Sequence, residues 1–321
     1  MKLLGIALCI PLAGALMTEP AASAESPPAW AYPANPPDFK PSPDDGSIRR
    51  VPGSNAGYTL TQLRDLFVAP DWHPAGHPPL PEVVARGRKP DVFACGFCHR
   101  ADGPGGPENA NLTGLPASYI VQQMLDFKSG ARKSSVPEIA PQALKARLSK
   151  AVTQAEIEEA AAYFSAIKPR SIVRVVESAT VPKTYVTGWH LTAVTTGETE
   201  PIGERIIEVP ENLEHFVSRD SRARFIAYVP PGSIKQGQAL AANGGGGKTQ
   251  QCGTCHGADL KGLGPTPGIA GRSPSYIVRQ LYDYKHGTRA GPGSALMKES
   301  VEKMTIDDMI AIAAYTASLA P

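Results

Sequence analysis

The sequence is poor in cysteine, in long apolar runs and in charge of one sign. Beyond the first 17 residues no stretch reaches eighteen consecutive apolar side chains, so no transmembrane helix is expected. Basic and acidic residues nearly cancel, 32 against 30, and the net +2 gives no electrostatic reason to bind nucleic acid or an anionic membrane. No Ser/His/Asp constellation stands out, no acid pair can be assigned to a cleft, and no separate metal motif is present. There are five cysteines, Cys9 in the leader and the rest in two C-x-x-C pairs, and in an oxidising compartment an unclaimed pair of that kind would tend to form a disulfide.

Proline is what the chain has in excess. Its 32 prolines lie largely in connecting stretches and predict much irregular backbone. The N-terminus reads as an export signal over residues 1–24: Lys2 is the positive end, Leu3 to Met17 the apolar segment, and Ala22-Ser-Ala24 the cleavage site. That leader implies a periplasmic protein released near Glu25, with Cys9 discarded.

Self-comparison shows a duplication. Shifted by 157 residues, Pro81–His99 lies over Gln238–His256, and SYIVQQMLDFKSGAR (Ser118–Arg132) over SYIVRQLYDYKHGTR (Ser275–Arg289), with nine of fifteen positions identical. The first copy then carries five extra residues, after which Ala143–Tyr163 meets Ala295–Tyr315. Each copy reads as a small helical domain, 81–169 and 235–321. Thr153-x-x-Glu156 and Thr305-x-x-Asp308 are capping boxes for the final helices, whose apolar residues recur at helical spacing. Two stretches stand outside the repeat: a proline-rich arm (25–80), with a helical signal at TLTQLRDLF, and a β-rich segment (170–234) with the runs SIVRVV, KTYV, ERIIEV and RFIAYV.

Both copies carry C-x-x-C-H at the same place: Cys95-Gly-Phe-Cys98-His99 and Cys252-Gly-Thr-Cys255-His256. Cysteines at i and i+3 share one side of a helical turn, and the histidine at i+4 follows on that side. Two thiols can then add to the two vinyl groups of one haem while the imidazole reaches its iron, so the motif reads as c-type haem attachment. A zinc site lacks the second ligand pair it needs, and a thioredoxin-like site lacks its βαβ setting. The preceding GGGGKT looks like a phosphate loop, but it follows a helix-like segment, ALAAN, where such a loop requires a strand. Gly244–Gly247 are expected to be a flexible lead-in to the haem turn.

These motifs, with the capped final helices ending in Ala-Ala-Tyr, resemble class I cytochromes c, and periplasmic two-haem cytochromes with tandem domains in particular. The resemblance covers 81–169 and 235–321. It implies a mainly α fold of two tandem cytochrome c domains and two covalently bound haem c groups on Cys95, Cys98, Cys252 and Cys255, with His99 and His256 as axial ligands. It also implies a methionine as sixth ligand on the loop before the last helix, which maps onto Met297, with Met304 and Met309 expected in the core. The first copy departs from the pattern: Lys145 stands where Met297 is matched. Its sixth position is left to Lys145, to Met124, to a distant histidine (His73, His77, His190 or His215), or open. As a bland alternative Lys145 is a solvated loop lysine, and His73 and His77 are surface residues of a proline-rich strap. His286 is expected to be exposed at a helix end, and Tyr119, Tyr276, Tyr163 and Tyr315 to pack near the haems.

The function expected is single-electron transfer between a donor and an oxidase, reductase or membrane complex, with periplasmic or membrane-bound redox proteins as partners. The alternative is a haem enzyme or ligand-binding protein that takes peroxide, a sulfur oxyanion or a small gas at the first haem and uses the second as relay. Oligomeric state is not readable from the sequence.

Overall fold

A computed structural model describes residues 26–321; the expected signal peptide and Cys9 lie outside the described residues. The fold is mainly α. The arm has little regular structure before α1 (Leu60–Arg64), which Thr59 and Gln62 cap reciprocally. The first copy follows with α2 (Glu82–Ala85), the short ladder β1 (Gly87–Arg88) and β2 (Val92–Phe93), then α3 (Cys95–His99), α4 (Ala117–Ser129), α5 (Ala140–Ala151) and α6 (Gln154–Ala166). The predicted box closes α6: Thr153 accepts from the Glu156 amide and Glu156 returns to the Thr153 amide, an arrangement worth about 1 kcal/mol. Helix α4 stops at Gly130, which takes φ +78°, a left-handed conformation natural to glycine. Val84, Phe93, Leu148, Ile157 and Phe164 are buried together as the core of this half.

The segment between the copies carries β3 (Val173–Glu177), β4 (Thr180–Pro182), β5 (Thr184–Thr187), β6 (His190–Ala193), β7 (Thr199–Pro201), β8 (Ile207–Pro210), α7 (Leu213–Val217) and β9 (Phe225–Val229). Strand β9 is central, parallel to β3 and antiparallel to β8. Its alternation buries Phe225, Ala227 and Val229 on one face. That face joins the core of the second half.

The second copy comprises α8 (Ser233–Asn243), α9 (Gly253–His256), the ladder β10 (Gly262–Leu263) and β11 (Thr266–Pro267), α10 (Pro274–Lys285), α11 (Ala295–Val301) and α12 (Ile306–Ser318). Helices α8 and α12 cross at Gly237, where a Cβ would stand 1.9 Å from the Ala311 carbonyl oxygen, so only glycine fits. Glu208 of β8 accepts from Ser273 Oγ at 2.7 Å and the Ser275 amide at 3.2 Å, placing a carboxyl at the N-terminus of α10. Gly244–Gly246 form a tight 3-10 turn and not a loose lead-in. Lys248 Nζ is bonded to both Asp308 oxygens, at 2.9 and 3.1 Å.

The arm straps both halves. Tyr32 is buried against α10 and donates to Asp283 at 2.8 Å. Two histidines whose alternatives were a haem ligand or a place on the surface are instead engaged with carboxylates. His73 is buried with Nε2 3.0 Å from Asp220, and His77 Nε2 lies 3.1 Å from Asp71. Their carboxylate partners, invisible to local composition, draw them in. The Asp71 hydrogen bond raises the His77 pKa above its ordinary value. A raised histidine adds stability that is complete below its unfolded pKa of about 6.5 and is lost as pH rises through the higher folded value. The melting-temperature difference between wild type and His77→Gln should therefore be larger at pH 5.5 than at pH 9. At a half-solvated site the contribution is discounted to under about 1 kcal/mol.

Candidate haem-attachment sites

Each C-x-x-C-H segment forms one helical turn, α3 in the first copy and α9 with Cys252 at its N-cap in the second. All four cysteines are free thiols. Burial pushes the Cys95 thiol up to about 11. His99 Nδ1 lies 2.8 Å from the Ala110 carbonyl, and His256 Nδ1 lies 2.7 Å from the Pro267 carbonyl, each eleven residues on. A carbonyl only accepts, so Nδ1 carries the proton and Nε2 keeps its lone pair. Burial, then the charge of Lys145, brings His99 down to about 3, and burial lowers His256 as well. Both imidazoles are held neutral, oriented and unprotonated at Nε2, the state a metal ligand requires. Among the described residues no cluster of three or more His, Cys, Asp or Glu forms a metal-ion site. The donor set is thus two thiols and one imidazole, which fits covalent haem and not tetrahedral zinc.

The residues facing Nε2 differ between copies. Lys145 is a half-buried helical residue of α5 and not a loop lysine, because the prolines and capping box around it leave 140–151 free to coil. Its Nζ stands 3.4 Å from His99 Nε2 and 3.8 Å from Met124 Sδ. The distant histidines are occupied elsewhere: His73 and His77 as described, and His190 near Gly188 O and Thr192, its ring tilted 55° against Phe216 with centroids 4.0 Å apart. His215 lies on α7. In the second copy Met297 belongs to helix α11, not to a loop, and is half-buried against the core. Met304 and Met309 are both core, at 2% and 1% exposure. His286 is exposed and its ring stacks on Tyr282.

Sequence reasoning missed the junction between the copies. Arg132 and Arg289, equivalent in the duplication, form an antiparallel bridge. Arg132 donates to Gln123 (2.8 Å), Gln280 (2.8 Å) and the Tyr276 hydroxyl (3.1 Å). Arg289 donates to Gln280 (2.9 Å), Gln123 (2.7 Å) and the Tyr119 hydroxyl (2.7 Å). The pattern is self-complementary about a pseudo-two-fold axis, as in an isologous dimer interface. Its signal was the repeated Gly-x-Arg after the shared helix. The five extra residues of the first copy begin here, and Ser135 reaches Asp283 with Oγ at 2.8 Å. Tyr119 and Tyr276 thus serve this junction. Arg289 Nε is buried without a partner, an orphan cation edge suited to an acidic group such as a haem carboxylate side group.

Two free thiols and a neutral, oriented imidazole on one helical turn define a c-type haem protein. The family model described as Cytochrome c matches residues 234–320. A cytochrome c-554(548) of Halomonas halodenitrificans is 36% identical over 78 residues, 24% of this chain and 94% of that protein. A thiosulfate dehydrogenase electron acceptor of Thiomonas intermedia is 25% identical over 234 residues, 71% of this chain and 80% of its own. Reduced recombinant cytochrome c4 from Pseudomonas stutzeri superposes with a TM-score of 0.45 at 21% identity, covering 70% of this chain and 93% of that one. The chain belongs to the cytochrome c family, whose cofactor is covalently bound haem c. Among the described residues no helix is long and apolar enough to cross a membrane.

Proposed function

We propose that this is a periplasmic two-haem electron carrier, with one haem in each of the domains 81–169 and 235–321. The observation that carries this reading is the repetition, in both copies, of free thiols beside an imidazole whose Nδ1 is fixed on a backbone carbonyl. Cys95 and Cys98 tether one group, and Cys252 and Cys255 the other. His99 and His256 would offer Nε2 to the irons, and Met297 in the second domain and Lys145 in the first would complete the hold on each group. The bound haem supplies a one-electron couple, and the chain sets its potential and access. Burial keeps the imidazoles neutral and the carbonyls hold their rings. Arg132 and Arg289, with the orphan Nε, offer cationic edges to the acidic side groups.

Lys145 Nζ stands 3.4 Å from His99 Nε2, with Met124 Sδ 3.8 Å from that amine, which supports a protein-ligated iron over an open, substrate-binding one. Donors and acceptors are periplasmic or membrane-bound redox proteins. Because relatives over most of this chain's length are thiosulfate dehydrogenase electron acceptors, an enzyme that oxidises reduced sulfur is the donor to try first. Intact mass of the exported holoprotein tests the reading. The expected mass is the polypeptide after residue 24 plus two haem groups, with colour retained through acid–acetone extraction. Replacing Cys252 and Cys255 by alanine should remove one haem and leave the other. A mass equal to bare polypeptide overturns it.

A further inference from the structure

The duplication places fourteen residues of each copy, 95–108 and 252–265, in ungapped correspondence, and their environments differ sharply. In the first copy Phe97 is 2% exposed, Arg100 2% and Asp102 6%. In the second, the equivalent Thr254, Gly257 and Asp259 are exposed or half-exposed, as are Cys255 and Leu263, the last at 59%. The difference has a source outside the repeat. A loop of the β-rich segment, Ser218–Ser221, lies over the first thiol-bearing turn. Arg219 has its guanidinium 3.6 Å from the Phe97 ring centre and donates to Phe97 O at 3.0 Å and to Leu63 O at 2.9 Å. Trp72 of the arm donates to Ser218 O at 2.7 Å, and His73 pins Asp220. Arg170 donates to Asp102 at 2.7 Å and to Ser221 O at 2.5 Å. Ala69 of the arm sits so close to Gly96 that a Cβ there would meet its methyl at 2.7 Å. The loop is locked by hydrogen bonds at both ends and is a fixed cover.

We propose that the arm and the β-rich segment together close the thiol-bearing edge of the first copy, so that external electrons enter and leave through the second copy alone, at the surface 252–265. This rests on the electron-carrier reading. Electron tunnelling falls off exponentially with the gap, so a partner must lie against an open edge. A covered first copy exchanges its electron only with the second, across the Arg132–Arg289 junction. The partner gives up one electron, the second copy takes it, and no bond or proton moves. The open surface also states what kind of partner fits. Asp259 and Lys261 balance in formal charge, Lys261 is bonded to the Pro321 carbonyl, and the exposed Leu263 stands between Gly262 and Gly264. The occupant is a one-electron redox protein with an uncharged rim around its own cofactor, and its association should respond weakly to salt.

Stopped-flow reduction of the holoprotein by a reduced cupredoxin, with the two haems followed at separate wavelengths, tests this. Hexaammineruthenium(II) serves as the small reductant. The second-copy haem should reduce in a phase proportional to donor concentration, and the first-copy haem in a later phase independent of it. Leu263→Asp should slow the protein donor about tenfold, whereas Arg222→Asp on the exposed cover of the first copy should change the rate less than twofold. Independent of activity, hydrogen exchange should be slow over 94–102 and fast over 251–259, with Arg219→Ala accelerating the first segment only. Equal exchange in the two segments, a concentration-dependent phase at the first haem, or a loss from Arg222→Asp matching that from Leu263→Asp would each overturn the proposal. If neither haem accepts an electron from either reductant, it is the electron-carrier reading that fails.

Discussion

Lys145→Met should shift the midpoint potential of the first haem upward on the order of 100 mV, a modest share of the roughly 0.8 V that axial ligands span. It should also turn that haem's low-temperature EPR signal into one resembling its neighbour's. The reason is positional. Lys145 Nζ lies 3.4 Å from His99 Nε2 with Met124 Sδ just behind it, so the side chain at 145 is the first to reach an iron held there. An amine stabilises the oxidised iron more than a thioether does, and exchanging it for methionine favours the reduced form. The second haem, on its own core with Met297, should not respond. Met124→Leu is the control: a spectrum moved by Met124→Leu and not by Lys145→Met would transfer the role to Met124. A first-haem spectrum indifferent to both would leave the lysine assignment without support.

What was legible in the sequence was local or repeated. The attachment turns are set by five adjacent residues, the final helices by Thr153–Glu156 and Thr305–Asp308, and the strands by β-branched runs between prolines and glycines. The duplication exposed the substitution at 145, but not that α5 coils to bring the amine back over His99. That depends on packing between α4 and α5, which spacing does not report. The partner of His73 was not legible because histidine amid prolines looks solvated; only the fold supplies Asp220, 147 residues away. The covering of the first copy was hidden for the same reason: Ser218–Ser221 meet Leu63, Trp72 and Phe97 across more than a hundred residues. The glycines 244–247 suggested looseness by composition, whereas their positive φ values make a compact turn.

Arg132→Ala and Arg289→Ala should each cost about 2–4 kcal/mol of stability, and the double variant clearly more than the sum. Each guanidinium makes three charge-assisted hydrogen bonds to side chains, and bonds to charged groups are worth roughly 1.5–3 kcal/mol each, with shared partners lowering the cost of either single loss. The shared partners are Gln123 and Gln280, each of which accepts from both arginines. After one arginine is lost, each glutamine oxygen is still served by the other, while Tyr276 or Tyr119 loses its donor. After both are lost, both glutamine oxygens are orphaned, whereas the relief of repulsion between the two like charges was already gained with the first removal. Residues joined in this way depart from additivity by about 0.5–3 kcal/mol. Denaturant unfolding of the four proteins of the cycle measures the term, and strict additivity would show that the two arginines act independently. Lysine at either position should not rescue, because one ammonium cannot present the forked donors that reach a glutamine and a phenol in both halves at once. The same variants should slow electron exchange between the haems, since this junction fixes how the two halves face each other.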